Sequence, residues 1–244
     1  MIEIVIHGAG RMAAAIAHAA RSRDDLYIAA TVGPDSPDWE SPVPHFLSLQ
    51  ALPSQPALLI DFTLPQGTRA AAQWCADHDV ALLSGVTGLQ EEETAALHGA
   101  AQRVPVLWSP NLSLGINLLA ELARQAAAVL DPSTPVAIED IHHQWKQDAP
   151  SGTALMLGEV INSQRGDEPG GLEYSSIREG EVVGVHTITF QMAGEEIDLV
   201  HRAHDRKIYA LGALAAGKWL ISQHAGLYSA ADWLAGRTRG SGEA

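Results

Sequence analysis

The chain has one cysteine, Cys75, so no intrachain disulfide can staple it and no cysteine-rich zinc site can form. Cys75 falls within a helical stretch and reads as a buried packing residue. Positive charge is also scarce. The 15 Lys and Arg face 29 Asp and Glu, which leaves a formal net charge of −14. That balance argues against nucleic acid as a bulk partner, and a bound anion must be drawn in by local donors against the overall field. Long apolar runs are missing too. Hydrophobic residues make up 46% of the chain, yet no run approaches the ~18 residues that a membrane span needs. The first residues enter a strand pattern with no basic segment or cleavage site ahead of it. The expectation is a soluble cytoplasmic protein with no membrane and no nucleic-acid partner. There is no internal repeat, no low-complexity tract and no metal-binding motif: His142 and His143 are adjacent, and neither has an H-E-x-x-H context.

The 244 residues suffice for one large or two modest domains. Residues 2–7 (I-E-I-V-I-H) predict a buried strand, followed by Gly8-Ala9-Gly10-Arg11-Met12-Ala13 and an Ala-rich helix to about residue 22. Strand, G-x-G-x-x-A and helix is the context of a dinucleotide-binding turn. Gly8 permits the bend, Gly10 lets backbone approach a pyrophosphate, and the small Ala13 lets the helix pack close. A second strand over 26–32 ends at Val32, where an Asp or Glu would hold an adenosine ribose. The chain continues Gly33-Pro34-Asp35, with no Arg or Lys cluster, so NADH and NADPH both stay open. Residues 34–55 read as a loop with at most a short helix over 46–52. Strands over 57–62, 80–84 and 104–108 then alternate with helices over 66–78, 89–102 and 116–130, as in a doubly wound parallel sheet.

After residue 130 the grammar changes. A strand over 136–143 is followed by a helix capped by Ser151, a Gly-rich loop over 164–171, and strands over 182–191 and 195–204 joined by Met192-Ala193-Gly194. Strands adjacent in sequence imply a mixed or antiparallel sheet. A long helix over 205–223, a short one over 227–234 and a polar tail over 237–244 complete the reading. The division expected is a dinucleotide-binding domain over 1–113 plus 206–244 and a substrate-binding and oligomerisation domain over 114–205. The fold class is thus α/β: a Rossmann-like sheet plus a smaller α+β domain.

Chemistry concentrates in residues 139–155, E-D-I-H-H-Q-W-K-Q-D-A-P-S-G-T-A-L. His142 and His143 can donate hydrogen bonds or protons near neutrality. Lys146 is a cation that burial can tune into a proton donor. Gly152 and Thr153 open a helix whose N–H groups suit a carboxylate. Two donors, a cation and a helix N-terminus suit a small dianionic substrate that must be both held and protonated.

This segment resembles the signature of the dihydrodipicolinate reductase family, close to E-x-x-H-H-x-x-K-x-D-A-P-S-G-T-A, in which Glu139, His142, His143, Lys146 and Asp148 through Ala154 all fit. Further family-like phrases run in order along the chain: G-R-M after Gly8-Ala9, D-F-T-x-P over 61–65, Gly85-Val86-Thr87-Gly88, N-x-S-x-G-x-N over 111–117, and Arg178 through His186. The departures are His7 and Ala13, where Gly is frequent, Val86 for Thr, and Gln144 and Trp145 for Arg and His.

The resemblance implies NADH- or NADPH-dependent reduction of a heterocyclic imine with two carboxylates. It makes Lys146 the proton donor, His142 the catalytic acid/base or orienting residue, and His143, Gly152 and Thr153 the substrate ligands. It implies cofactor contacts at Gly8, Ala9, Gly10, Arg11, Met12, Val32, Gly85, Val86, Thr87, Ser109, Pro110, Asn111 and Leu112, with no metal. It also implies a homotetramer built through the second-domain sheet, and places Arg206 near the domain junction. Two other readings stay open on the sequence: a related imine reductase or amino-acid dehydrogenase-like enzyme, and a dinucleotide-binding sensor without turnover.

Overall fold

The computed structural model describes residues 1–166 and 171–240. They form two compact units, Met1–Ser113 with Lys207–Ala244, and Leu114–Arg206. The boundary differs from the expected one by a single residue, since Arg206 belongs to the second unit.

The first unit is a seven-stranded sheet in the order β11-β6-β5-β4-β1-β2-β3, parallel at every pairing. β1 (Ile2–His7), β2 (Leu26–Val32), β4 (Leu58–Asp61), β5 (Ala81–Ser84) and β6 (Pro105–Trp108) are the strands that the apolar runs predict. Buried on both faces, they carry near-continuous Ile, Leu and Val rather than an alternating pattern. Helices α2 (Pro65–His78) and α3 (Glu91–Ala101) pack together on one face of the sheet, and α1 (Arg11–Ala20) packs with α6 (Lys207–Leu220). Ala13 and Ala17, both buried, hold α1 close to the sheet. The chain winds outward from β1 through β2 to β3, then returns and winds the other way. The strand order therefore reverses between β1 and β4, and in open α/β sheets ligands bind outside the carboxyl ends at such a point.

The second unit is a four-stranded mixed sheet, β10-β9-β7-β8. Its strands are β7 (Val136–His142), β8 (Leu172–Arg178), β9 (Gly184–Met192) and β10 (Glu195–Ala203). β7 and β8 run parallel, and the other pairs are antiparallel. Burial alternates along β7 and β9, so Val136, Ile138, Ile188 and Phe190 face one way. That face is covered by α4 (Leu114–Val129) and α5 (Gly152–Asn162), whose Ile116, Leu119, Ala123, Leu157 and Ile161 complete a single core.

Four details correct the sequence reading. β3 (His45–Phe46) is an edge strand in a stretch expected as loop, while the 3-10 turn at Leu49–Ala51 falls within the short helix expected over 46–52. β8 is a strand that the sequence reading left unassigned. Residues Gly226–Tyr228 form β11 instead of opening the last helix, which is α7 (Ala230–Gly240). The expected polar tail is therefore helical through Gly240, and residues 241–244 lie outside the described residues, as do 167–170 of the Gly-rich loop.

Candidate active site

In the first unit, the carboxyl ends of β1, β2 and β4 surround a cleft of ≈ 630 Å³. Gly8, Ala9 and Gly10 form one wall, Gly33 through Ser36 with Asp38 a second, and Phe62, Thr63 and Leu64 a third. Gly8 sits at φ +118, with its N–H on the Val32 carbonyl at 2.8 Å, and a Cβ there would lie 3.0 Å from the Phe62 carbonyl oxygen. Only glycine accepts that conformation in that space. Gly10 caps α1 and places no side chain over its N-terminus, which leaves room for an anion.

Below the turn, Asp61 is fully buried. It accepts from the Thr63 hydroxyl at 2.6 Å, Thr68 at 2.7 Å and Ser84 at 3.0 Å, and His7 Nδ1 lies 3.3 Å away. Burial alone would raise the Asp61 carboxyl, but His7 and the two threonine hydroxyls together hold it below the usual carboxylate value. Over the cleft, the Trp39 indole N–H donates to the Ala9 carbonyl at 2.8 Å and ties the loop after β2 to the glycine turn. A Rossmann-type glycine turn, an open helix N-terminus and a switch-point cleft fit a dinucleotide.

The expected cofactor residues do not all meet in this cleft. Gly8, Ala9 and Gly10 line it, and Arg11 and Met12 open α1 beside it. Val32 is fully buried in the core on the α2–α3 side, so the loop beyond it, not its side chain, lines the cleft. Gly85, Val86 and Thr87 follow β5. The side chain of Val86 is buried, and its carbonyl accepts from the Trp108 indole at 2.9 Å. Ser109, Pro110, Asn111 and Leu112 follow β6 as a tight turn: Ser109 Oγ donates to the Asn111 carbonyl at 2.7 Å, and Asn111 Oδ1 accepts from the Ser113 N–H at 2.9 Å.

The second unit gathers its polar groups around Asp140, which is fully buried. Four donors converge on its carboxylate: His142 Nδ1 at 3.0 Å, the Ser151 backbone N–H at 3.0 Å, Ser176 Oγ at 2.8 Å and Arg178 Nη1 at 2.8 Å. Burial would raise this carboxyl, but the donors hold it below the usual range. Because the carboxylate can only accept, the His142 proton rests on Nδ1 and Nε2 is left as the reactive nitrogen. Burial depresses the His142 pKa and outweighs the opposing pull of Asp140, so the ring stays neutral to lower pH than an ordinary imidazole. Edge-on to it, 5.1 Å between centroids, lies the buried His186, whose Nε2 is 3.3 Å from Ser151 Oγ.

Lys146 is bonded to Asp148 at 2.7 Å, and the same carboxylate receives the Gly152 N–H at 3.4 Å. A carboxylate thus already sits between the cation and the first turn of α5. Ser151 caps that helix by accepting from the Ala154 N–H at 3.2 Å, and Thr153 follows Gly152 in its first turn. His143 Nε2 faces Arg206 Nη2 at 3.1 Å. Trp145, 59% exposed, lies 5.8 Å from the His143 ring. Arg178 also donates through Nη2 to the Asp148 carbonyl at 2.5 Å, which ties the loop after His143 to β8.

Asp140 and Arg178 were not among the expected site residues. For Asp140 the signal was available, because a residue two before His142 on a strand shares its face. Glu139, which the motif included, points to the opposite face, paired with Ser175 and Thr187.

A dinucleotide cleft in one unit and a held histidine, lysine and helix N-terminus in the other are the parts of a nicotinamide-dependent reductase. Residues 2–112 match the family described as dihydrodipicolinate reductase, N-terminus, and residues 115–234 its C-terminus. The chain belongs to the dihydrodipicolinate reductase family, whose members are NAD(P)H-dependent oxidoreductases. It is 43% identical over 236 residues to the 4-hydroxy-tetrahydrodipicolinate reductase of Xanthomonas euvesicatoria pv. vesicatoria, covering 95% of this chain and 97% of that one. To the enzyme of the same name from Stenotrophomonas maltophilia it is 41% identical over 240 residues, covering 96% and 98%. The fold is also that of a dipicolinate-bound dihydrodipicolinate reductase from Paenisporosarcina sp. TG-14, with TM-score 0.82 at 24% identity over 94% of this chain and 97% of that one.

Proposed function

We propose that this enzyme reduces the cyclic imine derived from 4-hydroxy-tetrahydrodipicolinate to tetrahydrodipicolinate, in the cytoplasmic synthesis of diaminopimelate and lysine. The observation that carries the reading is one short segment that holds an imidazole oriented by Asp140 and, meeting at the Asp148 carboxylate, a cation and a helix N-terminus. NADH or NADPH, when bound, would supply the hydride.

Gly8, Ala9 and Gly10 would hold the pyrophosphate at the N-terminus of α1, with Arg11 and Met12 beside it. Gly85, Val86 and Thr87 and the turn from Ser109 to Leu112 would hold the nicotinamide half. In the second unit, the N–H groups of Gly152 and Thr153 take one substrate carboxylate in the place where Asp148 now sits. His143, with Arg206 beside it, takes the other. The ring dicarboxylate dipicolinate bound by the Paenisporosarcina relative is a ligand of this class. Hydride addition to a conjugated imine leaves an electron pair on the ring. The Lys146 ammonium stabilises that developing charge and delivers the proton that quenches it. His142 presents Nε2 to the substrate and serves as acid/base or orienting group. Asp140 fixes its tautomer, and Ser151, Ser176 and Arg178 fix Asp140. In this reading the enzyme works as a homotetramer assembled through the uncovered face of the second sheet.

The test couples the purified protein to dihydrodipicolinate synthase with pyruvate and aspartate semialdehyde and follows nicotinamide absorbance. Oxidation that requires every component supports the assignment. None, with the synthase shown active, overturns it.

A further inference from the structure

The proposed mechanism leaves one buried titratable group without a part, His186 of β9, which is 5% exposed. It stands opposite Asp140 in the register of β7 and β9, so the two side chains share a face. Its Nε2 is 3.3 Å from Ser151 Oγ, and that oxygen accepts from the Ala154 N–H in the first turn of α5. Its ring meets the His142 ring edge-on, 5.1 Å between centroids and 75° between planes. Gly184, two residues earlier, lies on the same face of the strand. A Cβ there would lie 3.1 Å from His142 Nε2 and 3.8 Å from His186 Cε1. β9 therefore braces the His142 ring through residue 186 and keeps its own side chains off Nε2 at residue 184.

We infer that His186 is a positioning residue that ties the N-terminal turn of α5 to the His142 ring. The inference rests on the proposed reaction, in which that turn takes a substrate carboxylate and His142 faces the ring being reduced. A packing role alone suits a phenyl ring better, because His186 Nδ1 is buried with no hydrogen-bond partner among the described residues, and such a group costs stability. A neutral imidazole does what a phenyl ring does not. Its Nε2 can accept the Ser151 hydroxyl proton, which leaves the oxygen's lone pairs for the Ala154 N–H. A charged ring would instead donate to Ser151 and bring a positive charge beside His142 and Lys146. Burial, with the His142, His201 and Lys146 charges behind it and Asp140 opposed, holds the His186 pKa at about 4, so the ring is neutral in the neutral range.

Two replacements separate the two contacts. His186→Phe keeps an aromatic edge against His142 and loses the Ser151 bond. Losing one such bond should raise KM for the imine, and the Kd of dipicolinate measured by calorimetry, by roughly five-fold, with kcat little changed. His186→Gln keeps an amide for Ser151 and loses the ring. KM should then hold, and kcat should fall by about ten-fold as the His142 ring loses its brace. The pKa of His142, followed by NMR, should rise toward the ordinary imidazole value in the Gln variant as its burial is relieved, and stay in place in the Phe variant. Circular dichroism and nucleotide affinity should match the wild type in both. Equal changes in KM and kcat in both variants, or no change in either, make His186 a packing residue and overturn the inference. If the Phe variant does not fold, the Gln variant decides alone, and an unchanged kcat with an unchanged His142 pKa overturns the inference. A wild type without turnover overturns the reaction instead, and dipicolinate affinity and the His142 pKa still decide the role of His186.

Discussion

Lys146 and Asp148 show how the site manages charge in a chain with a net charge of −14. Their 2.7 Å bond keeps the lysine oriented, and the Lys146 partner holds the Asp148 carboxyl below its ordinary value. If the ammonium quenches the substrate's developing charge, Lys146→Ala should lower kcat by roughly 10²–10⁴-fold. Nucleotide affinity measured by fluorescence should be unchanged, because no cofactor contact is lost. An unaltered kcat would remove Lys146 from the mechanism.

His186 makes a different prediction. Burial, helped by the neighbouring His142, His201 and Lys146 charges and opposed by Asp140, lowers its pKa from 6.5 to about 4. The unfolded chain therefore takes up a proton below about pH 6.5 that the folded ring refuses until about pH 4. Stability is thus fully present above pH ~6.5 and is lost as pH falls toward 4. This one group contributes a loss of about 2 kcal/mol between pH ~7 and pH ~5. Denaturant titrations at the two pH values should show it, and His186→Gln should remove that part of the difference. A wild type equally stable at both would show that the buried ring is not the acid-sensitive element.

At the scale of elements, legibility followed length and periodicity. The β1–glycine turn–α1 unit could be read directly, because an apolar run, two glycines and an Ala-rich helix each demand the same local structure. β3 and β11, of 2 and 3 residues, are too short to show any alternation, and only their neighbours in the sheet make them strands. β8 hides for another reason. Its apolar Leu172 and Ile177 are an odd number of residues apart and so point to opposite faces, and the residues between them are largely exposed. The candidate catalytic segment was legible as residue types, but its geometry was not. Which acid held His142 depended on strand phase, and which donors held that acid depended on β8 and on the cap of α5.

The long helix α6 was foreseen, but not how closely it approaches the turn after β6. A Cβ at Gly212 would lie 1.8 Å from the Leu112 carbonyl oxygen, a backbone atom that cannot step aside. Gly212→Ala gains at most about 1 kcal/mol of helix propensity. It forces an overlap of the kind that costs about 1–3 kcal/mol or more. Net destabilisation by chemical denaturation is the expected outcome, together with weaker nucleotide binding if the turn from Ser109 to Leu112 shifts. A variant as stable as the wild type would mean that α6 slides along the sheet at no cost.

At the scale of the whole molecule, the second sheet is covered by helices on one face only. The other face presents Ile141 of β7, Ile177 of β8, Val185 of β9 and Val200 of β10, with Ile177 at 39% and Val200 at 38% exposure, among Ser175, Thr187 and Thr189. The same face also carries Glu139, Glu173, Asp198 and Arg202, so its apolar patch lies among both acidic and basic groups, a mixture that a self-complementary, isologous contact can pair. The homotetramer proposed for this enzyme uses that face. Light scattering on the eluting protein should give the mass of four copies. Ile177→Lys with Val200→Lys, both exposed in the single chain, should break it into smaller species without loss of helix and strand content by circular dichroism. A wild type that elutes as one copy would overturn the assembly. A double variant that stays tetrameric would move the interface to another surface.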